Sequence, residues 1–185
     1  MVHPQLRTMA AVMLAQPFPL LTAATVQDFR FAMTRWRQPP LPGVSFDKRS
    51  IKGIAGGPDV TVFVVNARAG ANRPGILRAH GGGFVAGAAE LDLPNLQALA
   101  LKLDCVIVTV EYRLAPEVRW NGSCEDNYVG LLWPQAQAEQ LGIDRSRIAV
   151  MGESAGGGHA ALLALNARSR RGAVGISMPD LPDAG

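Results

Sequence analysis

Two cysteines in 185 residues, Cys105 and Cys124, are too few for a disulfide framework. With them stand only three histidines, at positions 3, 80 and 159, and no spacing among these residues fits metal ligation. Neither a metal nor another cofactor is expected. No apolar run approaches the roughly 20 residues that cross a bilayer, so no membrane span is expected. Charge of one sign is lacking as well: 18 Lys and Arg against 15 Asp and Glu leave a net +3. The basic residues are scattered and no basic stripe carries interleaved aromatics, which argues against nucleic acid as a partner. The one tight cluster, Arg168, Arg170 and Arg171, reads as a solvated helix end that complements the helix dipole. Internal repeats and low-complexity tracts are absent.

What is present describes an ordered globular chain, with 48% hydrophobic residues and a mean hydropathy of +0.12. Its length fits one domain with a real core. Cys105 opens an apolar run and reads as a buried thiol, which suits a reducing, cytoplasmic setting. Met9–Ala15 has the look of a short signal core, but Gln16, Pro17 and Pro19 interrupt it and argue against secretion. The sequence does not specify an oligomeric state.

Residues 1–45 form an accessory cap or arm, broken by Pro17, Pro19, Pro39, Pro40 and Pro42. One short helix is expected over Thr25–Trp36, where Val26, Phe29 and Met33 recur at helical spacing. Two readings stay open for this arm, a loosely packed extension and a lid over a pocket. Extended segments are expected at Ser50–Ile54 and Val60–Val65, joined by the turn Gly56-Gly57-Pro58-Asp59. Ile76–His80 reads as a buried strand, Leu93–Leu103 as a helix and Cys105–Val110 as an apolar strand. Asp126–Glu139 reads as a helix interrupted near Pro134, and Arg147–Met151 as a further strand. Strands alternating with helices at this spacing predict an α/β fold with a mostly parallel central sheet, entered through an antiparallel hairpin.

The chain is organised around Arg147–His159. A β-branched run leads into Gly152-Glu153-Ser154-Ala155-Gly156, and an alanine- and leucine-rich helix follows. A G-x-S-x-G between strand and helix places its serine at a strained, exposed apex. Gly152 and Gly156 are the neighbours that a side chain would crowd. The N–H of Ala155 falls at a helix N-terminus, where partial positive charge can meet an oxyanion. The plain alternative is a strand-to-helix loop that happens to contain serine.

A second constellation, His80-Gly81-Gly82-Gly83-Phe84, follows the Ile76–His80 strand. Consecutive glycines let backbone N–H groups converge on one spot. A dinucleotide loop is the rival, with Gly81, Gly83 and Ala86 mimicking G-x-G-x-x-A. Phe84-Val85-Ala86-Gly87 does not start a helix, however, and no acidic residue other than Glu111 is placed for a ribose.

Taken together, His80–Gly87, Tyr112–Glu117 (YRLAPE) and Gly152–Gly157 (GESAGG) resemble the hormone-sensitive-lipase-like branch of the α/β-hydrolases, which includes the bacterial family IV esterases. The resemblance is close over residues 74–171 and looser over 28–72. It implies an α/β-hydrolase fold and hydrolysis of short-chain carboxylic esters, with a small-molecule ester as substrate. Ser154 would be the nucleophile, and the N–H groups of Gly82, Gly83 and Ala155 would bind the oxyanion. His80 would brace the glycine loop, with Gly81, Gly152, Glu153 and Gly156 in support and Tyr112–Glu117 beneath the site. Glu153 stands where many members have Asp. Arg78 stands inside a strand where the family usually places an aromatic or aliphatic residue.

A serine nucleophile needs a base and the base an orienting acid, which in this fold follow it in chain order. After Ser154 the chain offers His159, Asp180 and Asp183. His159 projects roughly 140° around its helix from Ser154, and is expected to be a packed residue. Residues 46–171 thus read as the N-terminal portion of a hydrolase domain whose acid and base are missing, and 172–185 as an out-of-family tail. Codons for that tail, read one base later, permit APLAFQCLIYPMLD, which resembles the family's next core strand. A single-base shift near Arg171 is therefore expected to have replaced the remainder of an esterase. The elbow strand would then lie at or near a sheet edge, and the chain would be marginally stable and crippled as a catalyst. The alternative function is a non-catalytic small-molecule-binding module on the same scaffold.

Overall fold

The computed structural model describes residues 2–15 and 20–169. The tail at 172–185 and two of the three clustered arginines, Arg170 and Arg171, lie outside the described residues. Strands β1 (Phe46–Ile51), β2 (Val60–Val65), β3 (Arg73–Ala79), β4 (Val106–Glu111) and β5 (Ile143–Gly152) form one sheet in the order β1-β2-β4-β3-β5. β1 and β2 make the expected antiparallel hairpin, and β2 also runs antiparallel to β4. From there the sheet is parallel, β4 to β3 and β3 to β5. Among the described residues β5, the strand that carries the serine turn, is outermost.

Sequence explains the interior of this sheet directly. β2 (VTVFVV) and β4 (VIVTVE) are β-branched runs, apolar on both faces, as strands covered on both sides must be. Val62, Val64, Leu77, Val108 and Val110 pack on one face, with Tyr128, Leu131 and Leu163 against them. Phe63, Val65 and Ile107 pack on the other, beneath Leu93, Leu96 and Ala100.

Helix α1 spans Arg7–Ala15, and α2 spans Val26–Met33 and continues as a 3-10 turn over Thr34–Trp36. α2 turns its expected face inward, with Val26 buried and Phe29 and Met33 half-buried. α3 occupies Leu93–Leu103 as expected, with Pro94 in its first turn and Asp104 ending it in the left-handed region. Its buried Gln97 stitches down the linker after the arm: the amide donates to Val44 O at 2.6 Å and accepts from Leu41 N–H at 2.7 Å. α4 (Trp120–Ala136), α5 (Ala138–Leu141) and α6 (Ala155–Ser169) complete the described helices, none of which is long and apolar enough to cross a membrane.

Several boundaries differ from expectation: α1 forms where no helix was expected and β3 begins at Arg73, three residues before Ile76. β1 begins at Phe46 and ends at Ile51, short of Gly53, where a methyl group would stand 2.2 Å from Pro58 O. α4 begins at Trp120, six residues before Asp126. Its Asn-Gly-Ser opening has turn chemistry, but burial of Gly122 against Val118 and Arg113 outweighs it. The helix passes through Pro134 and breaks three residues later, at Gln137. β5 reaches back to Ile143, which pairs with Arg73 before a register irregularity at Pro74, a residue with no N–H to donate.

Candidate functional site

The β5–α6 junction is the tight turn that the glycines predict. Ser154 is exposed and holds φ of 53°, the left-handed region that L-residues enter at a cost of about 1–2 kcal/mol. Strain of this kind persists only where the surroundings over-determine it. The Gly156 N–H donates to Glu153 O at 2.9 Å, and the Gly157 N–H to Ser154 O at 3.0 Å. A methyl group on Gly156 would stand 2.2 Å from Ala79 O, and one on Gly152 2.2 Å from Gly156 O, so neither position admits a side chain. Ala155 opens α6, where helix N–H groups have no intrahelical acceptor.

The glycine loop lies against this turn. A methyl group on Gly81 would stand 3.1 Å from Glu153 O and 3.8 Å from Ser154 Cβ. Gly82 and Gly83 follow with φ of 130° and 63°, and among the described residues their N–H groups make no hydrogen bond. The loop closes as a turn, with the Ala86 N–H donating to Gly82 O at 2.9 Å, and no helix starts from it. The dinucleotide geometry is therefore not formed.

His80 is 1% exposed, with Nδ1 at 2.8 Å from Gly81 O. Burial pulls its pKa down to about 4, so the ring is neutral near pH 7. It stacks on Tyr112, whose hydroxyl donates to His80 O at 2.7 Å; burial pushes that hydroxyl up to about 12, leaving it a neutral donor. The Tyr112–Glu117 loop is tied down from below, since Arg113 bonds to the buried Asp126 carboxylate through its main-chain N–H at 2.9 Å and its guanidinium at 2.8 Å. From the glycine loop, Phe84 O accepts the Ala115 N–H at 2.9 Å.

Arg30, on α2, was not legible as a site residue. Its guanidinium donates to Val85 O at 2.6 Å, to Ala115 O at 2.8 Å and to both Glu117 oxygens at 2.8 and 2.9 Å. One side chain of the arm thus joins the glycine-loop turn to the Tyr112–Glu117 loop. Hydrogen bonds from Arg30 hold the Glu117 carboxyl down at about 2. Farther along, Met33 and Trp36 join Arg78, His80, Asp92 and Glu153 around a cavity of about 530 Å³.

The conflict at Arg78 resolves in three dimensions. Its side chain is 4% exposed, and Nη2 reaches both Asp92 and Glu153, the latter at 2.9 Å. His159 is packed, as expected. It is edge-on to Phe84 and Tyr112, with centroids 5.0 and 4.6 Å away, and Nδ1 faces Cys124 Sγ at 3.9 Å. Burial lowers its pKa. No side chain among the described residues hydrogen-bonds to Ser154 Oγ.

A strained serine at a strand–helix turn, beside a glycine loop that ends a neighbouring parallel strand, is α/β-hydrolase geometry. Residues 76–179 match the family model described as "alpha/beta hydrolase fold", and the chain belongs to that family. It is 36% identical over 161 residues to the carboxylesterase NlhH of Mycobacterium tuberculosis, covering 84% of this chain and 50% of that protein. It is 39% identical over 109 residues to an arylacetamide deacetylase of Oryctolagus cuniculus, covering 57% of this chain and 27% of that one. The solved structure of a bacterial heroin esterase superposes with a TM-score of 0.78 at 36% identity, over 91% of this chain and 54% of the other. The chain spans about half the length, or less, of the curated relatives it matches.

Proposed function

We propose that this chain carries the nucleophile and oxyanion half of a carboxylic-ester hydrolase acting on short-chain acyl esters. In this reading Ser154 Oγ attacks the ester carbonyl, giving its proton to a base that the described residues do not include, and the developing oxyanion is received by the N–H groups of Gly82, Gly83 and Ala155. Donors fixed in advance at the place where charge develops are worth most in such a reaction, because nothing has to reorganise. His80, neutral and stacked on Tyr112, braces the loop and takes no proton from the serine. Gly81, Gly152 and Gly156 permit the close approach of loop and turn, and Glu153 supports the turn from its exposed side. The observation that carries the reading is the strained Ser154 lying beside Gly81, with the Gly82 and Gly83 N–H groups unbonded among the described residues.

The base and its orienting acid are not supplied by the described residues, since His159 is turned into the packing. Loss of the base from a serine–histidine pair costs on the order of 10⁶ in kcat. The 185-residue chain by itself is therefore expected to react with esters slowly. A fluorophosphonate probe tests the nucleophile without requiring turnover; because phosphonylation also releases the serine proton, the probe is used in excess over a long incubation at alkaline pH, where hydroxide takes that proton. Mass spectrometry is expected to find the phosphonyl group on Ser154 and no labelling of a Ser154→Ala chain. Labelling that survives this substitution, or a wild-type chain that takes none, sinks the proposal.

A further inference from the structure

We infer that Arg78 is the positioning residue of the elbow: its ion pair with Glu153, anchored on Asp92, sets the conformation in which Ser154 reacts. This rests on the reading of Ser154 given above.

Arg78 belongs to β3, in register with Thr109 of β4 and Met151 of β5. An aliphatic residue fits such a place better, because a buried guanidinium loses its hydration and must be compensated by close partners. Compensation here is incomplete. Nη2 serves both carboxylates, while Nε and Nη1 are buried without a hydrogen-bond partner among the described residues. Packing therefore gives no reason for an arginine.

Its two partners do give one. Glu153 directly precedes Ser154 in the turn, and Asp92 immediately precedes α3, at the end of the segment that leaves the glycine loop. The guanidinium joins these two segments from inside the sheet. Glu153 is thereby held at both ends: its carbonyl accepts the Gly156 N–H at 2.9 Å, and its carboxylate accepts from Arg78 at the same distance. The Glu153 side chain is otherwise 62% exposed and free to swing, so Arg78 removes the main freedom of the residue next to the strained serine. A residue that holds a strained turn acts on the reactivity of that turn as well as on stability.

The test compares rates of fluorophosphonate labelling at Ser154, alongside urea midpoints, in wild type and in Glu153→Gln, Glu153→Asp, Arg78→Met and the Arg78→Met/Glu153→Gln double variant. Glu153→Gln keeps the side chain's shape and sits at an exposed position, so it stays informative even if the buried substitution unfolds the chain. It is expected to label roughly 10-fold slower or worse while native by circular dichroism, since small misplacements of a reacting group cost up to about 10²-fold. Glu153→Asp, which keeps the charge, is expected to recover part of that loss. The double variant is expected to label no more slowly than its slower parent, as befits two residues acting as one unit. Equal labelling of wild type and folded Glu153→Gln overturns the inference and leaves the serine reading intact. A wild-type chain that takes no label overturns both.

Discussion

The ring of His80 lies flat on that of Tyr112, with centroids 4.1 Å apart and planes 12° from parallel, and the tyrosine hydroxyl donates to the main-chain carbonyl of the same histidine. The contact joins the strand end that opens the glycine loop to the loop beneath it. Tyr112→Phe keeps the stack and leaves the carbonyl without its donor. A loss of about 1–3 kcal/mol is expected, the cost of one unsatisfied buried acceptor, read as the shift in a urea unfolding curve.

The buried histidine also predicts an acid limit. The folded-state pKa of His80, about 4, lies below its unfolded value of 6.5, so between those values the unfolded chain binds more protons. The stabilisation from the neutral ring is complete above about pH 6.5 and is lost as pH falls, fully so below about pH 4. This amounts to about 3 kcal/mol at most. His159, lowered by the same cause, acts in the same direction. Urea midpoints measured from pH 7 to pH 4 should fall, and a His80→Phe chain should show a shallower fall.

Arg30→Ala is expected to free the arm without unfolding the sheet. Cleavage by trypsin after Arg37, just beyond the helix that carries Arg30, should accelerate. The Glu117 carboxyl is held at about 2, below its ordinary 4.5, so the contact's contribution is complete above about pH 4.5 and is lost as pH falls through about 2. Rapid cleavage should therefore appear at pH 7 in Arg30→Ala and not in wild type. Identical cleavage of the two chains at pH 7 would refute the clamp.

Ser154→Gly should stabilise the fold. Glycine enters the left-handed region without the Cβ penalty, and relief of about 1 kcal/mol is expected in the urea midpoint. The same chain should take no fluorophosphonate. A residue whose removal strengthens the protein while abolishing its reaction is the pattern expected of strain kept for function.

The strands and helices around the site were legible because their signals are local. The β-branched runs of β2 and β4, the proline at the start of α3 and the glycines flanking Ser154 each constrain their own neighbourhood. Arg30 was not legible. Its place on a short amphipathic helix says nothing of carbonyls in two distant loops. Arg78 was visible as a conflict and no more, because Glu153 lies 75 residues away and only the parallel pairing of β3 with β5 brings it near. The start of α4 was missed for the opposite reason: its Asn-Gly-Ser sequence carries a clear local signal, which burial overrides.

The partners of Arg30 lie 55, 85 and 87 residues further along the chain. Closing loops of that length precedes any reward from the contacts they permit, so α2 has nothing to grip until β3 and β4 have paired and set both loops in place. The segment that leaves the ribosome early is in this sense the last to find its seat. Its docking is a report that the glycine loop and the Tyr112–Glu117 loop have already formed.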